Sequence, residues 1–221
     1  MIIISEETGV KIIIGEKKSF WVANEEGIVI LMTLSQIIFG LVLLFSPFYD
    51  WVGGYVSYII VNIGGVTVNG FGYGRIYYSS YEGGAILEYF SCPAILYFSV
   101  IGSVLGILIM FMGFWTINRR FLRREKDLAS LYGGLSKYTL IISIACIGLS
   151  FAFFISYNYL PVYGLSGVRN LGELPQYLAS LNIKVSLTPL LGPILIIIIG
   201  IISIFLGIIF SIIHAKISQQ E

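Results

Sequence analysis

Charge is what this sequence has least of. Asp, Glu, Lys and Arg make up 11% of its 221 residues, against about 25% in an ordinary soluble domain. A chain so poor in charge cannot clothe a water-facing surface, which excludes a soluble enzyme and a disordered polymer. The formal net charge is +1, so no strong field draws polyanions, and nucleic acid is excluded as a partner. Histidine is nearly absent: His214 stands alone near the C-terminal end. Metal and acid–base sites need clustered donors, so no catalytic residue, cofactor or metal site is expected. His214 is expected to be an interfacial residue that reaches toward water. The two cysteines, Cys92 and Cys146, fall about 16 Å apart in depth at 1.5 Å per helical residue. That is too far for an intrachain disulfide, leaving Cys92 as a buried thiol or a cross-link between chains. No Asn-x-Ser/Thr triplet occurs, so N-glycosylation is not expected.

What the sequence has is apolar length. Hydrophobic residues reach 57% and mean hydropathy is +0.91. A bilayer crossing needs about 20 apolar residues. Four stretches supply them without one Asp, Glu, Lys or Arg: 27–46, 93–117, 139–157 and 189–214. The last includes Ile194 to Ile202, all isoleucine and leucine apart from Gly200. β-branched residues favour strands in water, but lipid forces each segment to satisfy its own backbone hydrogen bonds, so helix wins. Alternating segments of about 10 residues, the mark of a membrane β-barrel, are missing. The expected fold class is an all-α polytopic membrane protein with four transmembrane helices.

Basic residues set the expected orientation. Lys11, Lys17 and Lys18 precede the first span, Arg119, Arg120, Arg123, Arg124, Lys126 and Lys137 lie in segment 118–138, and Lys216 follows the fourth. Only Arg75, Arg169 and Lys184 lie on the opposite side. The positive-inside rule predicts a multi-pass protein of the cell membrane with both termini cytoplasmic. The tail 215–221 and loop 118–138 are then cytoplasmic, and loops 47–92 and 158–188 face outward. No basic segment precedes the first apolar run, so no cleaved signal peptide is expected. The basic cluster serves chiefly topology and suits anionic headgroups of the lipid bilayer. Within it, Asp127 to Leu131 is expected to be helical until Gly133-Gly134 breaks the helix. The N-terminal tail, 1–26, carries Ile2–Ile4 and Ile12–Ile14 around Glu6-Glu7-Thr8-Gly9, the pattern of a short β-hairpin.

The outward loops hold most of the remaining information. Loop 47–92 is too long for a simple connector and is dense in Gly and Tyr. Val66-Thr67-Val68 and Phe71 to Tyr78 flank Asn69-Gly70, a pair suited to a type I′ hairpin. A small extracytoplasmic antiparallel sheet is therefore expected, with Val185 to Leu187 of loop 158–188 as a further strand and Leu174 to Leu181 as a short helix. Tyrosine is enriched where proteins meet, so Tyr73, Tyr77, Tyr78 and Tyr81 are the expected contacts. A long β-bearing first outer loop on a four-helix bundle resembles, in topology, the claudin-like architecture. That family's Trp, Gly-Leu-Trp and cysteine pair are represented here only by Trp51 and Cys92, so no residue role is carried over. Gly70-Phe71-Gly72-Tyr73-Gly74 resembles a potassium-channel filter, but Asn69 interrupts the Thr-Val-Gly run and the other outer loop holds no counterpart.

Inside the spans, Gln36 is the most polar mid-membrane side chain and is expected to bond a neighbouring helix. Gly102-x3-Gly106 and Ser203-x3-Gly207-x3-Ser211 form small-residue stripes for close helix packing. A weak repeat links Ser46-x2-Tyr49-x2-Val52-x-Gly54 to Ser156-x2-Tyr159-x2-Val162-x-Gly164, and Gly106/Gly113 to Gly200/Gly207. The 39 isoleucines point to an archaeal host. The expected function is that of a non-enzymatic accessory or structural subunit, meeting other membrane or envelope proteins, or itself, through its Tyr-rich surface. The alternative is a small transporter or channel for an uncharged or weakly polar solute, for which the repeat and Gln36 speak.

Overall fold

The computed structural model describes residues 24–58, 61–79, 85–124, 127–181 and 184–219. The expected N-terminal hairpin and Tyr81 lie outside the described residues. Among the described residues four helices are long and apolar enough to cross a membrane: α1 (Glu25–Leu44), α2 (Pro93–Ile117), α3 (Leu128–Ser156) and α5 (Leu191–Ser218). A fifth helix, α4 (Leu174–Ser180), is short and lies between α3 and α5. The four long helices make this a multi-pass membrane protein by length and composition.

Local chemistry explains most helix ends. Glu25 and Glu26 occupy the first turn of α1, where carboxylates complement the helix dipole. Pro93 opens α2 at the position where its missing N–H costs nothing. Asp127 caps α3 by accepting from the Ser130 backbone N–H at 2.9 Å. One expectation is corrected here: α3 runs straight through Gly133-Gly134. Packing overrides the low helix propensity of glycine, because Gly133 lies against the His214 ring, where a Cβ would come within 3.2 Å of Cε1. His214 itself bonds the Ala129 carbonyl through Nδ1 at 2.8 Å, so it ties α5 to α3 rather than merely reaching for water.

The bundle is built as two close pairs, α1 with α2 and α3 with α5. Glycines set both crossings. A Cβ on Gly40 would lie 2.6 Å from the Gly106 carbonyl oxygen, and one on Gly106 would lie 2.7 Å from that of Gly40. Gly200 sits against Ser143, Cys146 and Ile147, and Gly207 against Leu140. The second stripe needs a correction at its end. Ser203 and Gly207 are buried, but Ser211 is exposed. A four-residue step advances about 40° beyond a full turn, so the stripe drifts, and Phe210 takes the buried place.

At the end of the bundle reached by the C-terminus of α2, Glu25 is held by two segments. Arg120 donates from Nε at 3.0 Å and from Nη2 at 2.8 Å to its two carboxylate oxygens. The buried Tyr132 hydroxyl donates to Oε1. Tyr132 stacks on Phe210 at 6.3 Å, and Val29, Met32, Leu135 and Ile213 complete the core there.

The opposite end carries a five-stranded antiparallel sheet in the order β4-β3-β2-β1-β5. Its strands are β1 (Asp50–Tyr58), β2 (Val61–Asn69), β3 (Tyr73–Ser79), β4 (Ala85–Ser91) and β5 (Thr188–Pro189). Four come from segment 47–92, and the fifth is the short β5 just before α5. The fifth strand falls just after Val185–Leu187. Val185 and Leu187 are instead buried in the core, and Thr188 and Pro189 pair with Gly53 and Val52.

The Asn69-Gly70 turn is not type I′, because neither residue has positive φ and Gly72 does, at +79°. Asn69 Oδ1 accepts from the backbone N–H groups of Phe71 and Tyr73, both at 3.1 Å. Gly70 meanwhile is wedged against Ser46 and Pro47. The filter-like run is thus a hairpin turn. A hydrogen-bonded chain pins it to the helices: Ser99 Oγ donates to the Gly70 carbonyl at 2.6 Å, and Ser46 Oγ to the Ser99 carbonyl at 2.7 Å. Trp51 seals the junction. It is fully buried, donates from its indole to the Ser46 carbonyl at 2.9 Å and meets Phe153 edge-on at 4.9 Å.

Candidate functional site at the open face of the sheet

Strand alternation gives the sheet two faces. Val66, Val68, Ile76 and Phe90 are buried on one of them, in the core shared with the helices and with α4. On that side Tyr177 of α4 donates to Glu88 of β4 at 2.6 Å, so the segment between α3 and α5 covers the sheet. The other face is open at Tyr73, Arg75 and Tyr89, whereas Leu190 packs over Gly53 at its β1 side. One row of paired residues crosses all five strands on it: Thr188, Gly53, Thr67, Arg75 and Tyr89. Tyr73 and Tyr77 flank Arg75 on the same face of β3 by alternation.

A cleft of about 490 Å³ opens on this face, lined by Phe48, Asp50, Thr67, Tyr73, Arg75 and Tyr89 among others. Thr67, which lines it, is buried. Beside Thr67 on this face Leu190 packs over Gly53, and on the opposite face the Phe90 ring fills the space beneath Gly74. Tyr73 is 69% exposed and Tyr89 70%. Phe48 is also exposed and meets Phe71 edge-on at 5.0 Å. Arg75 donates from Nε to Thr67 Oγ1 at 3.1 Å, which aims the guanidinium along the face. Neither Arg75 nor Asp50 is in an ion pair among the described residues.

The sequence-predicted contacts divide. Tyr73 lines the cleft, Tyr77 is half-buried on the same face, and Tyr78 pairs through its backbone with Gly64 of β2. Reasoning on tyrosine alone missed Arg75, Asp50 and Tyr89. The period-2 spacing of Tyr73, Arg75 and Tyr77 was the available signal, since it places an arginine between two tyrosines.

The residues predicted for helix packing are otherwise brought together inside the bundle. Gln36 of α1 donates from Nε2 to Thr139 Oγ1 of α3 at 3.1 Å, the interhelical bond expected. Gly102 meets Ile196 of α5 and Gly106 meets α1. Thr33 Oγ1, Gln36 Oε1 and Ser203 Oγ are buried and make no hydrogen bond among the described residues. Cys92 and Cys146 are both free and buried, and Cys92 has no exposed surface, which argues against a cross-link between chains. Among the described residues no cluster of three or more His, Cys, Asp or Glu could hold a metal. Comparison with known proteins returns no matching family model, no similar curated protein and no similar solved structure.

Proposed function

We propose that this chain is a non-enzymatic subunit of a membrane or envelope assembly, docking through the open face of its sheet. In this reading both termini are cytoplasmic and the sheet stands outside the cell membrane. The observation that carries it is the pair of exposed tyrosines, Tyr73 and Tyr89, standing beside the exposed Arg75 at one cleft of the sheet. Tyr and Arg are the residues over-represented where binding energy concentrates. The sheet is held rigidly by Trp51 and the Ser46–Ser99–Gly70 chain, and a rigid platform loses little entropy on binding.

The alternative, passage of an uncharged or weakly polar solute, draws on the three unpartnered oxygens of Thr33, Gln36 and Ser203. Against it, Gln36 is 1% exposed, and glycine-to-backbone contacts close both helix pairs.

The test is the native mass of the protein extracted gently from its own membrane, with identification of whatever co-elutes. Stoichiometric association that is lost when Tyr73, Tyr77, Tyr78 and Tyr81 are replaced together by serine supports the proposal. A lone monomer, or association indifferent to that replacement, counts against it and makes solute flux in liposomes the next measurement.

A further inference from the structure

Among the described residues lining its cleft, the open face carries one carboxylate and one guanidinium, which do not pair with each other. Asp50 stands on β1, opposite Asn69, and Arg75 on β3, opposite Thr67. Both line the same cleft, yet no ion pair joins them. Two strand spacings of about 4.8 Å across the sheet and two residues of about 3.4 Å along it put their backbone positions roughly 12 Å apart. Thr67 and Asn69 of β2 lie between them, and around them stand Phe48, Tyr73 and Tyr89, exposed and apolar in body.

A partner bearing a single charge would satisfy one end of this cleft and desolvate the other without compensation, which is costly. The cleft needs a surface with the same two charges in reversed order. A second copy of this chain presents that surface automatically. Rotation about a two-fold axis lying in the interface, perpendicular to the line from Asp50 to Arg75, places each carboxylate over the other copy's guanidinium. Such a contact is isologous, and two-fold pairing is the commonest form of assembly. Thr67 and Asn69 of β2 then fall nearest the axis, with Tyr73 beside Arg75 on β3 and Tyr89 of β4 outside the charge pairs.

We infer that the open sheet face is a self-association surface, in which Asp50 of one copy pairs with Arg75 of a second and the reverse. This deepens the proposal above, since it rests on that face being the docking surface and names the occupant.

The test uses charge reversal in the full-length chain reconstituted in liposomes, with donor or acceptor fluorophores at the C-terminus. Energy transfer reports contact within one membrane, and vesicle clustering reports contact between membranes. Wild type should associate in one of these two ways and weaken as salt rises. D50R alone leaves two guanidinium groups in the cleft and R75D alone leaves two carboxylates. Each variant should self-associate at least tenfold more weakly than wild type. A mixture of D50R with R75D should recover association, because every guanidinium again faces a carboxylate. Unchanged melting temperatures of the two variants establish that folding is intact. Wild type that stays monomeric, single variants that associate like wild type, or a mixture that fails to recover would each overturn the inference. Should stoichiometric foreign proteins co-elute in a tyrosine-dependent way while these liposomes show no self-contact, the docking surface stands and only its occupant has been misassigned.

Discussion

Glu25 and Arg120 form a two-pronged ion pair that spans 95 residues of sequence and joins the first turn of α1 to the turn after α2. Each side chain is largely withdrawn from solvent, with Arg120 17% and Glu25 10% exposed. Tyr132 of α3 donates to the same carboxylate, so three of the four spanning helices meet at one acidic residue. The arrangement orders the bundle end that lies opposite the sheet.

Removing that carboxylate strands one partner and weakens the hold on the other. E25A leaves the fully buried Tyr132 phenol without its acceptor and Arg120 with only the longer 3.6 Å contact to Glu26, a loss of about 3 kcal/mol for breaking one side of such a pair. The melting temperature in detergent should fall accordingly. Y132F, which removes only the phenol hydroxyl, should cost about 1 kcal/mol. Equal melting temperatures for E25A and wild type would show the pair to be energetically silent.

The contact between Gly40 and Gly106 makes a sharper demand. The would-be Cβ at either position meets backbone of the facing helix, and backbone cannot swing aside as a side-chain tip can. G40A should therefore destabilise by about 1–3 kcal/mol, the usual cost of overpacking, and G40L should disrupt the α1–α2 pair. G134A is the control, because nothing lies within 4 Å of its new methyl group. A G40A protein as stable as G134A would mean that the helices separate freely.

The spans, the close glycine faces and the sheet of segment 47–92 were legible in the sequence because each rests on a strong local pattern. Apolar length fixes a span, and small residues spaced by four mark a crossing. The repeat is visible too, with its register displaced. Gly113 sits against Thr33, Gln36 and Ile37, whereas Gly200 sits against Ser143, Cys146 and Ile147. These two sets of partners are related by the spacing that separates Ser46 from Ser156, so Gly200 plays the part of Gly113 rather than of Gly106. The Glu25–Arg120–Tyr132 cluster was not legible. Glu25 lies just before an apolar run and Arg120 just after another, and only the three-dimensional course of the helices brings them together. The Asn69-Gly70 turn was misread because tertiary contacts decided it. Packing of Gly70 onto Ser46 and Pro47 displaced the positive φ to Gly72.

Cys92 should be chemically inert in the folded protein. Burial pushes its thiol up to about 12 from an ordinary value of 9.0, opposed only in part by a hydrogen bond involving the Ile95 backbone. The thiolate is the reactive form, so an alkylating reagent at pH 8 should modify the native chain far more slowly than the unfolded one. The same shift carries a stability consequence. Because the folded state resists ionisation, this thiol's contribution is intact below pH 9 and is lost progressively as pH rises toward 12. Rapid labelling of native protein at pH 8 would show that the junction between sheet and α2 opens readily.

The orientation of the bundle can be settled with two cysteines introduced at opposite ends. Tyr159 lies beyond the sheet-side end of α3 and is 80% exposed, while Lys216 is exposed in the last turn of α5. Arg119, Arg120, Arg123, Arg124, Lys137 and Lys216 share the end of the bundle away from the sheet. Arg119 there lies over Trp115 at 5.5 Å, an arrangement suited to a membrane interface. The excess of basic residues should hold that end in the cytoplasm. A maleimide that cannot cross membranes should therefore label Y159C on intact cells, and label K216C only after permeabilisation. The native thiols, both buried, will not confuse the reading. The reverse pattern would place the open sheet face inside the cell. Every contact proposed for Tyr73, Arg75 and Asp50 would then have to be sought among cytoplasmic partners.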